Sequence, residues 1–173
     1  MRLLRTLATT VTALALSVVT VPADAGTRSS PDGAPDGAGV PAAYDLIRVR
    51  WDYTDEALVV TSRLASVRRK GVALTSRAAH AGEGYEVEVR SWWRDGRRID
   101  RLWIAYNTVS QTRVDCPGLR SRWRVQRDVI RVVVPHACLF ESYPLDGLRV
   151  STGRLGSSGE VDVVASPQRL TSG

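Results

Sequence analysis

Residues 85–106 read YEVEVRSWWRDGRRIDRLWIAY, and the fold follows from how this stretch closes on itself. Asp95-Gly96 suits a two-residue hairpin, because a type I′ turn needs positive φ at both central positions. With the turn placed there, Val89 faces Leu102, Val87 faces Ile104 and Tyr85 faces Tyr106, so one side of the hairpin is apolar throughout. A slip of one residue would move every apolar side chain to the wrong face. The other side then carries Glu86, Glu88, Arg90 and Trp92 on the first strand and Ile99, Arg101 and Trp103 on the second.

The same period of two extends outward in both directions. In residues 47–53, Ile47, Val49, Trp51 and Tyr53 alternate with Arg48, Arg50 and Asp52, which predicts a strand buried on one face only. Thr54-Asp55-Glu56 supplies a tight turn into a partner strand at 57–64. A second hairpin is expected to turn at Arg127-Asp128, pairing Val125 with Ile130 and Trp123 with Val132 and placing Arg124 opposite Arg131. Residues 148–155 and 161–164 read as two further strands. A strand is also expected at 72–76, because a structureless loop across 67–84 would be unusually long for a small domain. Eight or nine short strands without a long helix predict an all-β chain: a single antiparallel two-layer β-sandwich domain over residues 44–165.

The flanks read differently. Residues 1–25 begin with Arg2 and Arg5, continue through an uncharged apolar run and end in Ala23-Asp24-Ala25, the pattern of a cleaved secretory signal peptide. The apolar run falls short of the ~20 residues needed to span a bilayer, so no integral membrane segment is expected in the mature protein. Residues 26–43 (GTRSSPDGAPDGAGVPAA) are expected to form a flexible Gly/Pro/Ala-rich spacer, and 166–173 a disordered tail. The expected localisation is secreted and extracellular.

The chain has 24 Lys and Arg against 18 Asp and Glu, giving a formal charge of +6. All but Lys70 of the basic residues are arginine, and Asn107 is the only asparagine. This skew away from AT-rich codons accounts for much of the arginine, and an exported protein seldom meets nucleic acid, so no nucleic-acid partner is expected. The anions such a protein meets are envelope phosphates, acidic glycans and lipid head groups.

Cys116 and Cys138 are the only cysteines and flank the second hairpin, whose register brings them together. With an export signal present, a disulfide is the natural reading. It would close a loop of about 23 residues and contribute roughly 3 kcal/mol by restricting the unfolded chain. No metal or cofactor is expected: only His80 and His136 accompany the cysteines, without ligand spacing.

Val132-Val133-Val134-Pro135-His136-Ala137-Cys138-Leu139, preceded by Cys116 and Trp123, resembles a cysteine-flanked V-P-x-x-C-L hairpin of uncharacterised secreted β-sandwich proteins of high-GC Gram-positive bacteria. Asp45-Leu46-Ile47 is similar to the step that opens their domain. The resemblance covers residues 44–164. It implies the sandwich and the disulfide, and it carries no functional residues.

Two surfaces are candidates for function. Trp92, Trp103, Arg90, Arg101 and Ile99 share the outer face of the first hairpin, where aromatic rings edged by charge could hold sugars or partner proteins. Arg120, Arg122, Arg124 and Arg131 form an outward stripe on the second hairpin. Like charges facing one another across strands are mildly destabilising, so either acidic side chains or an anion from solvent should intervene. No catalytic frame is present: Walker, Gly-x-Ser-x-Gly and His-Glu-x-x-His motifs are all missing. The reading favoured by sequence is a non-catalytic extracellular binding or accessory protein, its partner a cell-wall glycan, an anionic envelope polymer or another extracellular protein. The alternative is a small secreted hydrolase using spatially paired carboxylates among Asp100, Asp115 and Glu141.

Overall fold

The computed structural model describes residues 26–31, 39–80, 84–106, 110–139, 144–157, 159–166 and 168–171. The expected signal peptide at 1–25 lies outside them, as does Glu141. Strands β1 (Gly26–Pro31), β2 (Leu46–Tyr53), β3 (Ala57–Leu64), β9 (Val129–Pro135) and β8 (Arg120–Arg124) form a five-stranded sheet in the order β1-β2-β3-β9-β8. Strands β4 (Val72–His80), β5 (Tyr85–Arg94), β6 (Arg97–Tyr106), β7 (Ser110–Val114), β10 (Leu145–Arg154) and β11 (Glu160–Ser166) form the second sheet, ordered β11-β10-β4-β5-β6-β7. Every ladder is antiparallel. The protein is an all-β two-layer sandwich, as the alternation predicts.

The inward residues of both sheets make one core. Val49, Trp51, Val60, Ile130 and Val132 of the first sheet join Leu74, Val87, Val89, Leu102, Leu148 and Val150 of the second. Burying each such aliphatic side chain contributes about 1.5–3 kcal/mol relative to exposure. The β5–β6 hairpin has the expected register, with Tyr85 opposite Tyr106, Val87 opposite Ile104 and Val89 opposite Leu102. Its turn has φ 52° at Asp95 and 74° at Gly96, the left-handed pair that the Asp-Gly dipeptide supplies.

The second hairpin departs from expectation by two residues. Trp123 pairs with Ile130, Ser121 with Val132 and Arg122 with Arg131, so Arg122 rather than Arg124 faces Arg131. The cause is a 3₁₀ turn at Val125–Arg127 closed by Asp128 at φ 53°, which lengthens the loop and leaves Val125 exposed. Tertiary contacts hold this loop, because the Asp128 carbonyl accepts from Leu64 N and its carboxylate accepts from Val67 N at 3.0 Å. A shift by two keeps the face of every side chain, so the arginines still point outward.

Ile47 also departs from the pattern. The β2–β3 register skips between Leu46 and Arg48, and this bulge turns Ile47 to solvent while Leu46 is buried. Leu46 N there donates to the buried Asp162 carboxylate of β11 at 2.5 Å, so the bulge ties the two sheets together.

Two boundaries differ from those suggested by composition. Gly26–Pro31, expected within the spacer, pair along β2, whose edge offers a backbone ladder that needs no apolar side chain. Leu170, expected within the tail, is buried and exchanges backbone hydrogen bonds with Leu145 at 2.7 and 2.8 Å. β1 and β7 are the two strands without an apolar alternation to announce them.

The expected disulfide is present. Cys116 and Cys138 are joined with Cα atoms 5.8 Å apart, closing a separation of 22 residues that contains β8 and β9. Among the described residues no helix is long and apolar enough to cross a membrane.

Candidate functional site

Strand order assembles an arginine surface larger than the stripe visible in sequence. On the outer face of the five-stranded sheet, Arg48 of β2 lies beside Arg63 of β3. In the next row Arg50 adjoins Thr61, which adjoins Arg131 of β9, which faces Arg122 of β8. Arg120 and Arg124 occupy the ends of β8, opposite Val133 and Val129. All of these arginines are exposed. The one ion pair on this face among the described residues is Arg50 with Asp52, at 2.8 Å. Among the described residues no carboxylate forms an ion pair with Arg48, Arg63, Arg122 or Arg131.

The face runs into an open cleft of about 1030 Å³ formed by the β3–β4 loop and the end of the second hairpin. Arg68, Arg69 and Lys70 line one wall, and Arg122, Arg124 and Arg127 the other, with no acidic residue in the lining. Arg69 lies over the Trp93 ring, 4.6 Å from its centroid, which fixes the loop against the end of the sandwich. The β3–β4 loop residues belong to a stretch whose pattern is unreadable in sequence. Their signal is the run Arg68-Arg69-Lys70 itself.

The outer face of the six-stranded sheet also carries arginines, and here carboxylates pair with Arg77, Arg90 and Arg149. Glu88 is fully buried, although its position on β5 points outward. It accepts from Arg77 Nε at 2.7 Å and from Arg90 Nε at 2.5 Å. Glu160 of β11 accepts from Arg77 at 2.9 Å and from Arg149. Burial opposes ionisation of Glu160, but hydrogen bonds from Ser151 and Arg149 outweigh it and hold its carboxyl below the usual range. Burial pushes the neighbouring Glu86 carboxyl up.

The expected Trp92 and Trp103 surface lies on this face, and neither ring is a bare platform. Arg90 lies 5.0 Å from the Trp103 ring centroid and Arg101 lies 5.3 Å from that of Trp92. Both are diagonal contacts of the β5–β6 ladder, where Arg90 and Arg101 are directly opposed. Together with the β10–β11 loop they line a groove of about 310 Å³. Ile99 is half-buried opposite Trp92 and does not line it.

Of the carboxylates considered for hydrolysis, Asp100 and Asp115 face different surroundings, and Glu141 lies outside the described residues. Asp100 points inward and joins the sheets: Oδ1 accepts from the Ser91 and Ser121 hydroxyls at 2.7 and 2.6 Å, and Oδ2 from Ser121 N at 2.9 Å and Arg98 at 3.0 Å. Trp123 Nε1 donates to Ser91 Oγ at 2.9 Å in the same cluster. Asp115 is exposed beside the disulfide. The histidines are equally separate. His136 Nε2 lies 3.0 Å from the Tyr53 hydroxyl, and His80 is buried in a 4.2 Å stack on Tyr85. Among the described residues no group of His, Cys, Asp or Glu is arranged to hold a metal ion.

No family model and no curated protein matches the chain. The functional reading therefore rests on its own residues.

Proposed function

We propose that this is a non-catalytic extracellular protein that binds an anionic polymer of the cell envelope through the arginine face of its five-stranded sheet and the adjoining cleft. One contrast carries the reading. On the six-stranded sheet Glu88 and Glu160 pair with Arg77, Arg90 and Arg149, whereas on the five-stranded sheet Arg50 alone has a carboxylate partner among the described residues, Asp52. Opposed pairs such as Arg122–Arg131 and Arg48–Arg63 repel when nothing lies between them, so an external anion that bridges them gains the screening the protein leaves out. Rows about 4.8 Å apart across the strands and about 6.8 Å apart along them suit an extended chain with regularly spaced charges better than a single small ion. Guanidinium groups favour phosphate and carboxylate through paired donors.

The export pattern at residues 1–25 and the resemblance of the Cys138 hairpin to secreted proteins of high-GC Gram-positive bacteria support an envelope polymer over nucleic acid. The test is retention of the purified protein on isolated cell walls and on a poly(glycerol phosphate) resin, with duplex DNA as competitor. Retention should fall steeply as salt rises, and Arg122→Gln with Arg131→Gln should weaken it at least tenfold. Retention unchanged between low and high salt would overturn the reading. So would displacement by DNA at lower concentration than by soluble poly(glycerol phosphate).

A further inference from the structure

The groove on the opposite face has a different chemistry. Its floor is the outer surface of β4, β5 and β6, and one wall is formed by Arg154, Leu155, Gly156, Ser157 and Gly159 of the β10–β11 connection. That loop lies close because Gly153 approaches the Gly159 carbonyl: a Cβ at 153 would sit 2.9 Å from that oxygen. Leu155 N donates to Gly71 O at 2.9 Å and anchors the loop to the β3–β4 connection. The wall is therefore set by backbone contacts rather than by long side chains.

The cations around the groove are of two kinds. Arg77 and Arg90 are held by Glu88 and Glu160. Arg101 and Arg154 also line the groove, and neither has a carboxylate partner among the described residues. The half-buried Trp92 and Trp103 rings contribute apolar surface, and Thr75 adds a hydroxyl, while the buried Ser151 hydroxyl is already engaged by Glu160. Aromatic surface with a hydroxyl suits the mixed CH and OH faces of a sugar ring, and an unneutralised guanidinium adds selectivity for a carboxylate. The volume is at the small end of ligand pockets and suits a short sugar segment.

We infer that this groove binds an acidic sugar, a pyranose bearing a carboxylate such as a uronate, with Arg101 taking the carboxylate and the ring resting on those parts of Trp92 and Trp103 in the groove lining that Arg101 and Arg90 do not cover. It is a second site, separate from the arginine face of the other sheet and independent of the reading given to that face.

The experiment is a titration of the full chain with D-glucuronate, D-glucose and acetate, followed by tryptophan fluorescence and by calorimetry. Glucuronate should give a saturable signal at least tenfold tighter than glucose or acetate. Arg101→Gln should weaken glucuronate at least tenfold, whereas Arg122→Gln, on the other sheet, should leave it unchanged. Trp103→Phe keeps an aromatic ring in the fold and should weaken glucuronate severalfold, with an unchanged melting temperature showing that the protein is intact. Equal binding of glucuronate and acetate, or of glucuronate and glucose, would overturn the inference. Undiminished binding by the Arg101→Gln protein, or loss of binding in the Arg122→Gln protein, would do the same.

Discussion

Asp100 of β6 and Ser121 of β8 are joined across the two sheets at both carboxylate oxygens, the hydroxyl to Oδ1 at 2.6 Å and the backbone N–H to Oδ2 at 2.9 Å. Ser91 and Trp123 complete the cluster from the same two layers. A charged acceptor in a nearly closed site makes strong hydrogen bonds, and its removal strands several donors at once. Asp100→Ala should therefore destabilise the protein by about 2–4 kcal/mol in urea unfolding. Asp100→Asn keeps one carbonyl acceptor and should cost less. Equal losses for the two variants would show that the cluster acts through packing alone.

Glu88 gives a second stability prediction. Replacing it with Gln leaves Arg77 and Arg90 facing each other without the carboxylate between them. Both arginines are partly exposed, so water offsets part of the loss, and the cost should be about 2 kcal/mol. Because Arg90 lies over Trp103, the substitution should also change the tryptophan emission of the folded protein. Unchanged emission with full stability would mean that Glu88 does not position Arg90.

His80 makes stability depend on pH in a defined window. Burial lowers its pKa from the ordinary 6.5 to about 4, against a smaller upward pull from Asp146. The unfolded chain takes up a proton near pH 6.5 while the folded one does so only near pH 4. The contribution is thus complete above pH 6.5 and is lost as pH falls towards 4. It should amount to about 3 kcal/mol. Among the described residues neither ring nitrogen has a hydrogen-bond partner, so His80→Phe should keep the stack on Tyr85 and flatten the stability profile between pH 6.5 and 4. An unaltered acid slope in this variant would assign the loss to other groups.

The Cys116–Cys138 bond closes a loop across a separation of 22 residues. Replacing both cysteines with alanine should lower stability by about 3 kcal/mol. The folded strands should persist, since the β8–β9 ladder and the Ser121–Asp100 contacts remain. Far-UV circular dichroism with urea unfolding measures both outcomes.

Much of the fold is legible because local chemistry and side-chain period agree. Asp95-Gly96 specifies its own turn, and one face of β5 and β6 is apolar in only one register. What escapes sequence depends on distant contacts. The loop before β9 is set by Asp128 accepting from Val67, a residue on the β3–β4 connection. The outward turn of Ile47 follows from a bulge stabilised by Asp162 near the far end of the chain. Candidate sites divide in the same way. Arg120, Arg122, Arg124 and Arg131 share a hairpin, so their alternation exposes them. Arg48, Arg50 and Arg63 join them only through the strand order β2-β3-β9-β8, which no local pattern encodes. Glu88 reads as one more outward charge, and its burial appears only when Arg77 from β4 closes over it.

Glutamates set among the guanidinium groups of one layer and almost wholly missing from the other make the molecule electrically lopsided. Against any negatively charged sheet of material such a body has a preferred way up, because turning it over exchanges strong attraction for weaker attraction. It would settle with β3 and β9 downward and the tryptophan-lined groove turned to the open medium, ready to meet whatever diffuses past.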